Sequence, residues 1–192
     1  FAEEGSWQKF EMMVDQEVRI MSTQFENDIA KLHIMKEMLL SNGLDEDCLD
    51  YLYLNAVLPT ALFSRIDIWY PDDTLLSDGI NTNLLQDFDF DEILKKGEHM
   101  SKRRRDPQTG NESVYYALPI AENGETLAIL IAVYDLEKIS EKFHSTLYDR
   151  NAQIAIVDRR DGKYIIDSWH DWLGDIYDSG DRKRAAGYED ID

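Results

Sequence analysis

The run Ser113-Val114-Tyr115-Tyr116-Ala117-Leu118-Pro119-Ile120-Ala121-Glu122-Asn123-Gly124-Glu125-Thr126-Leu127-Ala128-Ile129-Leu130-Ile131-Ala132-Val133-Tyr134-Asp135 decides the fold class. Asn123-Gly124 is a strong signal for a tight hairpin, because both central positions of a type I′ turn need positive φ, which Asn and Gly tolerate. It predicts one strand over 113–120 and its return over 125–134. Leu127 to Val133 is apolar at both parities. A strand wetted on one face would alternate, so this one must be covered on both faces and lie centrally in its sheet.

Upstream, Ser64-Arg65-Ile66-Asp67-Ile68-Trp69-Tyr70 alternates with period two. Ile66, Ile68 and Tyr70 point one way, and Arg65, Asp67 and Trp69 the other. Pro71-Asp72-Asp73 is turn chemistry, and Thr74-Leu75-Leu76 reads as the returning strand. Further back the period changes. Trp7, Phe10, Val14, Val18, Met21, Phe25, Ile29, Leu32, Met35 and Leu39 are spaced by threes and fours, one stripe of an α-helix ending at Asn42-Gly43. Such a helix is a rod of roughly 50 Å, long enough to run the length of a domain or to pair with a copy of itself.

A second helix is expected from Asp45 to Ala56, ended by Pro59, and a short one from Asp87 to Lys96 with Gly97 after it. Leu136, Ile139, Phe143 and Leu147 make another. Ala152–Val157 and Tyr164–Asp167, flanking Asp161-Gly162, form a third hairpin. The class is α+β, a long N-terminal helix packed on a PAS-like antiparallel sheet. Three segments are expected: 1–62 with the two helices, 63–148 as the sensor module, and 149–192 as the last hairpin and the start of a second, incomplete module.

The chain has 192 residues, 39 acidic against 20 basic, a net charge of −19 and 43% hydrophobic residues. That composition is globular. The acidity repels the phosphate backbone and excludes nucleic acid as a partner. No apolar run approaches the roughly 20 residues of a membrane span, and there is no leader pattern. Cys48 is the single cysteine and stands among Asp45, Glu46, Asp47 and Asp50, which oppose thiolate formation. The four histidines lack metal-ligand spacing. Asp87, Asp89, Asp91 and Glu98 copy calcium-loop spacing, but Glu92 stands where that loop needs Gly. No cofactor or metal is expected.

What remains is a candidate pocket. Arg65, Asp67 and Trp69 face away from the side that Ile66 and Ile68 turn to the long helix, and Tyr115, Tyr116, Tyr134 and Asp135 come from neighbouring central strands. Arg103, in the basic run Lys102-Arg103-Arg104-Arg105, offers an anion-gripping guanidinium. Aromatic walls with one cation and one or two carboxylates suit a small polar or zwitterionic ligand.

The order of elements resembles that of extracytoplasmic Cache domains, the PAS-like sensors of bacterial receptors. The residues that carry the resemblance are Ile68-Trp69-Tyr70-Pro71-Asp72-Asp73-Thr74-Leu75-Leu76-Ser77-Asp78-Gly79 after the long helix, then Tyr116-Ala117-Leu118-Pro119-Ile120 through Ala132-Val133-Tyr134-Asp135-Leu136. Ala152 to Asp158, Asp167 to His170 and Leu173 to Tyr177 are similar to the start of the membrane-proximal module in double Cache receptors, a variant of transmembrane diguanylate cyclases (GGDEF proteins). The resemblance implies an extracytoplasmic sensor tethered to the membrane through flanking segments outside this chain. It has no catalysis of its own, and its long helix passes a shift to a cytoplasmic diguanylate cyclase or histidine kinase. In the amino-acid-binding branch an Asp at the end of the hairpin holds the ligand amine, and Asp135 matches it by position. On that reading Asp135→Ala abolishes the ligand response and leaves the fold intact. The branch's Arg-x-Trp-Tyr motif is missing; the corresponding region reads Ser101-Lys102-Arg103-Arg104-Arg105, which leaves the ligand open. Two rival readings are a ligand-free module that dimerises through the N-terminal helix, and a small carboxylate hydrolase, which would need two carboxylates facing across a cleft.

Overall fold

A 41-residue helix, α1 (Ala2–Asn42), opens the chain and is about 60 Å long. The structure is a computed structural model that describes residues 2–44, 47–48, 61–72, 74–76, 90–142, 155–157, 162 and 164–167. The expected second helix lies almost wholly outside the described residues. After α1 come β1 (Arg65–Trp69), β2 (Leu75–Leu76), α2 (Phe90–Lys96), β3 (His99–Met100), β4 (Arg104–Arg105), β5 (Glu112–Glu122), β6 (Glu125–Asp135), α3 (Leu136–Lys142), β7 (Ala155–Val157) and β8 (Tyr164–Asp167).

The main sheet has the order β2-β1-β6-β5-β3, with β4 also paired to β5. β6 thus lies between β1 and β5, and every residue from Ala128 to Asp135 is buried, as apolar residues at both parities require. Asn123 and Gly124 close the β5–β6 hairpin with φ of 53° and 84°, the pair of positive values a type I′ turn demands. β1 runs antiparallel to β6 in the register Arg65↔Val133 to Trp69↔Ile129, and antiparallel to β2. The expected third hairpin is present as a separate two-stranded sheet, β7 with β8.

The residues group into two compact units, Phe1–His99 with Tyr116–Val133, and Met100–Tyr115 with Tyr134–Asp192. In the first, α1 buries Met21, Leu32, Met35 and Leu39, four members of the expected stripe. Val14 and Val18 belong to the same stripe, yet they are 36% and 53% exposed. The stripe is therefore covered from Met21 onward and faces solvent at Val14 and Val18. Periodicity says which face of a helix is apolar, not how far along its length a core lies opposite. Gly43, at φ 120°, donates its N–H to the Leu39 carbonyl and ends the helix where an L side chain would be strained. At the β1–β2 turn, hydrogen bonds from the Thr74 side chain and backbone hold the exposed Asp72 carboxyl below its ordinary value.

Asp28 interrupts the buried stripe of α1. It is fully enclosed, its Oδ2 accepts the Leu62 N–H at 2.7 Å, and Lys31 Nζ lies 3.5 Å from Oδ1. Burial outweighs these bonds and pushes the carboxyl above its ordinary 3.8. The folded chain therefore holds this proton more tightly than the unfolded chain does. The resulting stability is complete below the unfolded value and is lost as pH rises through the folded value. Asp28→Asn keeps the acceptor for Leu62 without the charge. Its stability relative to wild type is expected to rise in urea melts as pH climbs above the ordinary carboxylate value of 3.8, whereas a pH-independent difference would remove Asp28 as the titrating group.

Candidate ligand-binding site

The second unit gathers the polar chemistry. Antiparallel pairing of β4 with β5 sets Arg104 opposite Ser113 and Arg105 opposite Glu112. Paired residues share a face, and so do residues two apart on one strand, so Arg104, Ser113 and Tyr115 lie together. The Arg104 guanidinium carbon sits 5.7 Å from the Tyr115 ring centroid, within cation–π range. Arg103, with a side chain only 8% exposed, places Nε 3.3 Å from Glu112 Oε2, on the Glu112 side of the ladder. Strand alternation has split the basic run between two faces.

Between β4 and β5 the chain turns around Asp106, which is buried. Its carboxylate accepts from the Gln108 N–H at 3.2 Å, the Thr109 hydroxyl at 3.2 Å and the Tyr115 hydroxyl at 3.3 Å. Its own N–H donates to the Asn111 carbonyl at 2.8 Å, and Gly110 N–H donates back to the Asp106 carbonyl at 2.7 Å. This is the local bonding that makes Asp favourable in turns, here closed by a carboxylate inside the protein. Ser101 pins the start of the segment, donating its N–H to the Tyr115 carbonyl and accepting the Tyr115 N–H on Oγ.

Asn111 carries the network onward. Its N–H donates to Thr109 Oγ1 at 3.2 Å, and its side-chain amide donates to Asp135 Oδ2 at 2.9 Å. Asp135 Oδ1 accepts the N–H groups of Glu137 and Lys138 at 3.1 and 3.2 Å, so the residue caps the N-terminus of α3. An unbroken hydrogen-bonded chain thus runs from Tyr115 through Asp106, Thr109 and Asn111 to Asp135. A guanidinium on an aromatic face with two buried, oriented carboxylates can hold an anionic and a cationic group at once.

The other expected site residues fall as follows. In the second unit Tyr134 is fully enclosed. In the first unit Arg65 is paired with Asp67, its Nε 3.1 Å from each carboxylate oxygen, so its charge is already matched. Trp69 packs edge-on against Phe90 of α2, with centroids 5.0 Å apart at 84°. Tyr116 donates its hydroxyl to Glu98, whose Oε1 is also 3.0 Å from His33 Nε2 on α1. Tyr115 and Tyr116 are successive strand residues and point to opposite faces of β5.

Sequence reasoning missed Arg104, Asp106, Asn111 and Ser113. The signal was there for two of them. Alternation forbids Arg103 and Arg104 the same face, and Asp106-Pro107-Gln108-Thr109-Gly110 is a turn that Asp closes with its own side chain. One expectation needs correcting. Asp135→Ala cannot leave the fold untouched, because Asp135 caps α3 and holds Asn111. Among the described residues no group of His, Cys, Asp and Glu is placed to hold a metal ion, and no helix is long and apolar enough to cross a membrane. Asp87 and Asp89 of the calcium-like spacing lie outside the described residues, and Asp91 to Lys96 is helical.

No protein-family profile matches the sequence, and no curated protein matches it significantly. Solved structures do match. The ligand-binding domain of the Pseudomonas fluorescens chemoreceptor CtaA, in complex with L-serine, aligns with a TM-score of 0.65 at 12% identity, over 96% of this chain and 80% of that one. The ligand-binding domain of the Pseudomonas aeruginosa PAO1 amino acid chemoreceptor PctC, in complex with GABA, aligns with a TM-score of 0.62 at 13% identity, over 86% and 77%. That of Mlp24, with asparagine, gives 0.62 at 14% identity, over 96% and 78%. At such identities the likeness speaks for the backbone alone: this chain has the α+β fold of the ligand-binding domains of bacterial chemoreceptors.

Proposed function

We propose that the chain is a ligand-sensing domain without catalysis of its own, and that it binds a small zwitterionic molecule at the Arg104–Tyr115–Asp106–Asn111–Asp135 constellation. The observation that carries this is the hydrogen-bonded chain that links two buried carboxylates to Tyr115, on whose ring the Arg104 guanidinium rests. L-serine, GABA and asparagine, bound by the neighbouring structures, each pair an amine with a carboxylate. Of Asp135's two oxygens, Oδ1 is committed to the α3 N-terminus, and Oδ2 accepts from Asn111 while keeping a second lone pair that can face an ammonium. The fuller reading is a Cache-type extracytoplasmic sensor, tethered to the membrane by segments outside this chain. Residues from 149 on begin a second module, and the output is a diguanylate cyclase or histidine kinase.

A thermal-shift screen against amino acids, amines, carboxylates and nucleobases tests the binding reading. Saturation about a hundredfold above Kd stabilises by roughly 2.7 kcal/mol, a melting shift on the order of 5–10 °C for a domain this size. Shifts confined to molecules carrying both charges are expected; a shift by amines or carboxylates alone would count against the two-ended site.

A second reading concerns α1. Val14 and Val18 carry its apolar stripe into solvent, which favours self-association along that stripe. A monomer at high protein concentration in sedimentation equilibrium would discard it.

A further inference from the structure

We propose that the Asn123-Gly124 turn is a site of spontaneous covalent modification, where Asn123 loses its side-chain amide and becomes aspartate or isoaspartate. Asn-Gly occurs twice in the sequence, at 42–43 and at 123–124, and residue type alone does not tell the two pairs apart. The chemistry needs the backbone nitrogen of the following residue to reach the Asn side-chain carbon. Glycine has no Cβ in the way, which makes Asn-Gly the favourable pair. It also needs both groups to be released from other bonds, and here the two pairs differ.

At the end of α1 both groups are held. Gly43 donates its N–H to the Leu39 carbonyl at 2.9 Å, and the Asn42 side-chain amide donates to the Met38 carbonyl at 3.0 Å. Attack there breaks both bonds and unwinds the end of the helix. At the β5–β6 turn neither group has a hydrogen-bond partner among the described residues, and both residues are exposed. Open space surrounds Gly124 where a side chain would stand. An exposed hairpin tip opens locally at little cost, which brings the Gly124 nitrogen to the Asn123 side chain.

The Gly124 nitrogen bonds to Asn123 Cγ and gives up its proton, the Cγ–Nδ2 bond breaks, and ammonia leaves. The resulting cyclic imide is opened by water at either of its carbonyls. Opening at Cγ gives aspartate with the backbone intact. Opening at the main-chain carbonyl gives isoaspartate, whose backbone runs through Cβ and Cγ. In sum one water is taken up and one ammonia released, with no change of oxidation state. The two products differ in what they do to the fold. Asp-Gly serves a type I′ turn as Asn-Gly does, so aspartate leaves the hairpin as it was. Isoaspartate lengthens a loop whose size fixes the register of β5 and β6, the strands that carry much of the buried core.

The test is to age the chain in warm, mildly alkaline buffer and follow both pairs by peptide mass spectrometry, with fragmentation that tells isoaspartate from aspartate. Conversion is expected to run about tenfold or more faster at Asn123 than at Asn42, the ratio that two retained hydrogen bonds impose. Asn123→Gly, which keeps a Gly-Gly turn, is expected to remove the fast conversion and to hold its own melting temperature through ageing. The isoaspartate form, separated by ion exchange, is expected to melt below the fresh chain, whereas Asn123→Asp melts with the fresh chain. An Asn123 that stays unconverted, or that converts no faster than Asn42, would overturn the proposal. So would an isoaspartate form that melts like the fresh chain.

Discussion

Leu32→Ala should unfold a large share of the molecule's margin of stability, with an expected loss of about 3 kcal/mol, inside the usual ~2–5 kcal/mol for a large-to-small change in a core. Leu32 is fully buried on α1 between Asp28 and Met35, both of which are buried as well, so alanine leaves a cavity in the core. Val18→Ala removes a side chain from the same sequence stripe where it is 53% exposed, and its expected change is within about 0.5 kcal/mol. Urea melts of the two variants check the contrast. Similar losses at the two positions would mean that the first half of α1 is also packed in solution, which is the outcome expected if two copies associate there.

Asp135 carries the second large effect, because two jobs meet at one carboxylate. Asp135→Ala removes the cap of α3 and strips Asn111 of its acceptor. The lost cap is worth about 1 kcal/mol and the stranded amide about 1–3 kcal/mol, so a total loss of about 2–4 kcal/mol is expected. Asp135→Asn separates the jobs. The amide oxygen still accepts the Glu137 and Lys138 N–H groups, so the stability loss is expected to be smaller, about 1 kcal/mol. The negative charge is gone, and affinity for an ammonium-bearing ligand is expected to fall about a hundredfold, the lower part of the range for breaking a buried charged contact. Calorimetry on Asp135→Asn decides the matter. Wild-type affinity in that variant would leave Asp135 as a helix cap and nothing more.

Much of the fold was legible because it rests on short-range chemistry. Asn123-Gly124 admits few conformations other than a tight turn, and a strand apolar at both parities has no stable place except the middle of a covered sheet. Gly43 marks the end of α1 for a reason equally local. The site was legible only in part. Tyr115 and Asp135 were chosen for their residue types and their places on central strands, and both belong to the hydrogen-bonded chain. Arg65 was chosen on the same grounds, but Asp67, two residues along the same strand face, neutralises it.

What the sequence determined by itself is therefore the long first helix, the tight hairpin at Asn123-Gly124 and the central position of β6. Each follows from spacing or turn chemistry, which act over a few residues. Tertiary structure decided which basic side chain shares a face with Ser113 and Tyr115, and which carboxylates are joined through hydrogen bonds. Arg103 and Arg104 are adjacent and chemically identical, and they are told apart only by the ladder that sets Arg104 opposite Ser113 while Arg103 goes to Glu112. Asp106 reads as a loop residue until the fold closes over it and brings the Tyr115 hydroxyl to its carboxylate. The β4–β5 pairing and the burial of Asp106 arise from contacts that the residue types of a polar loop do not announce, in contrast to the apolar pattern that placed β6.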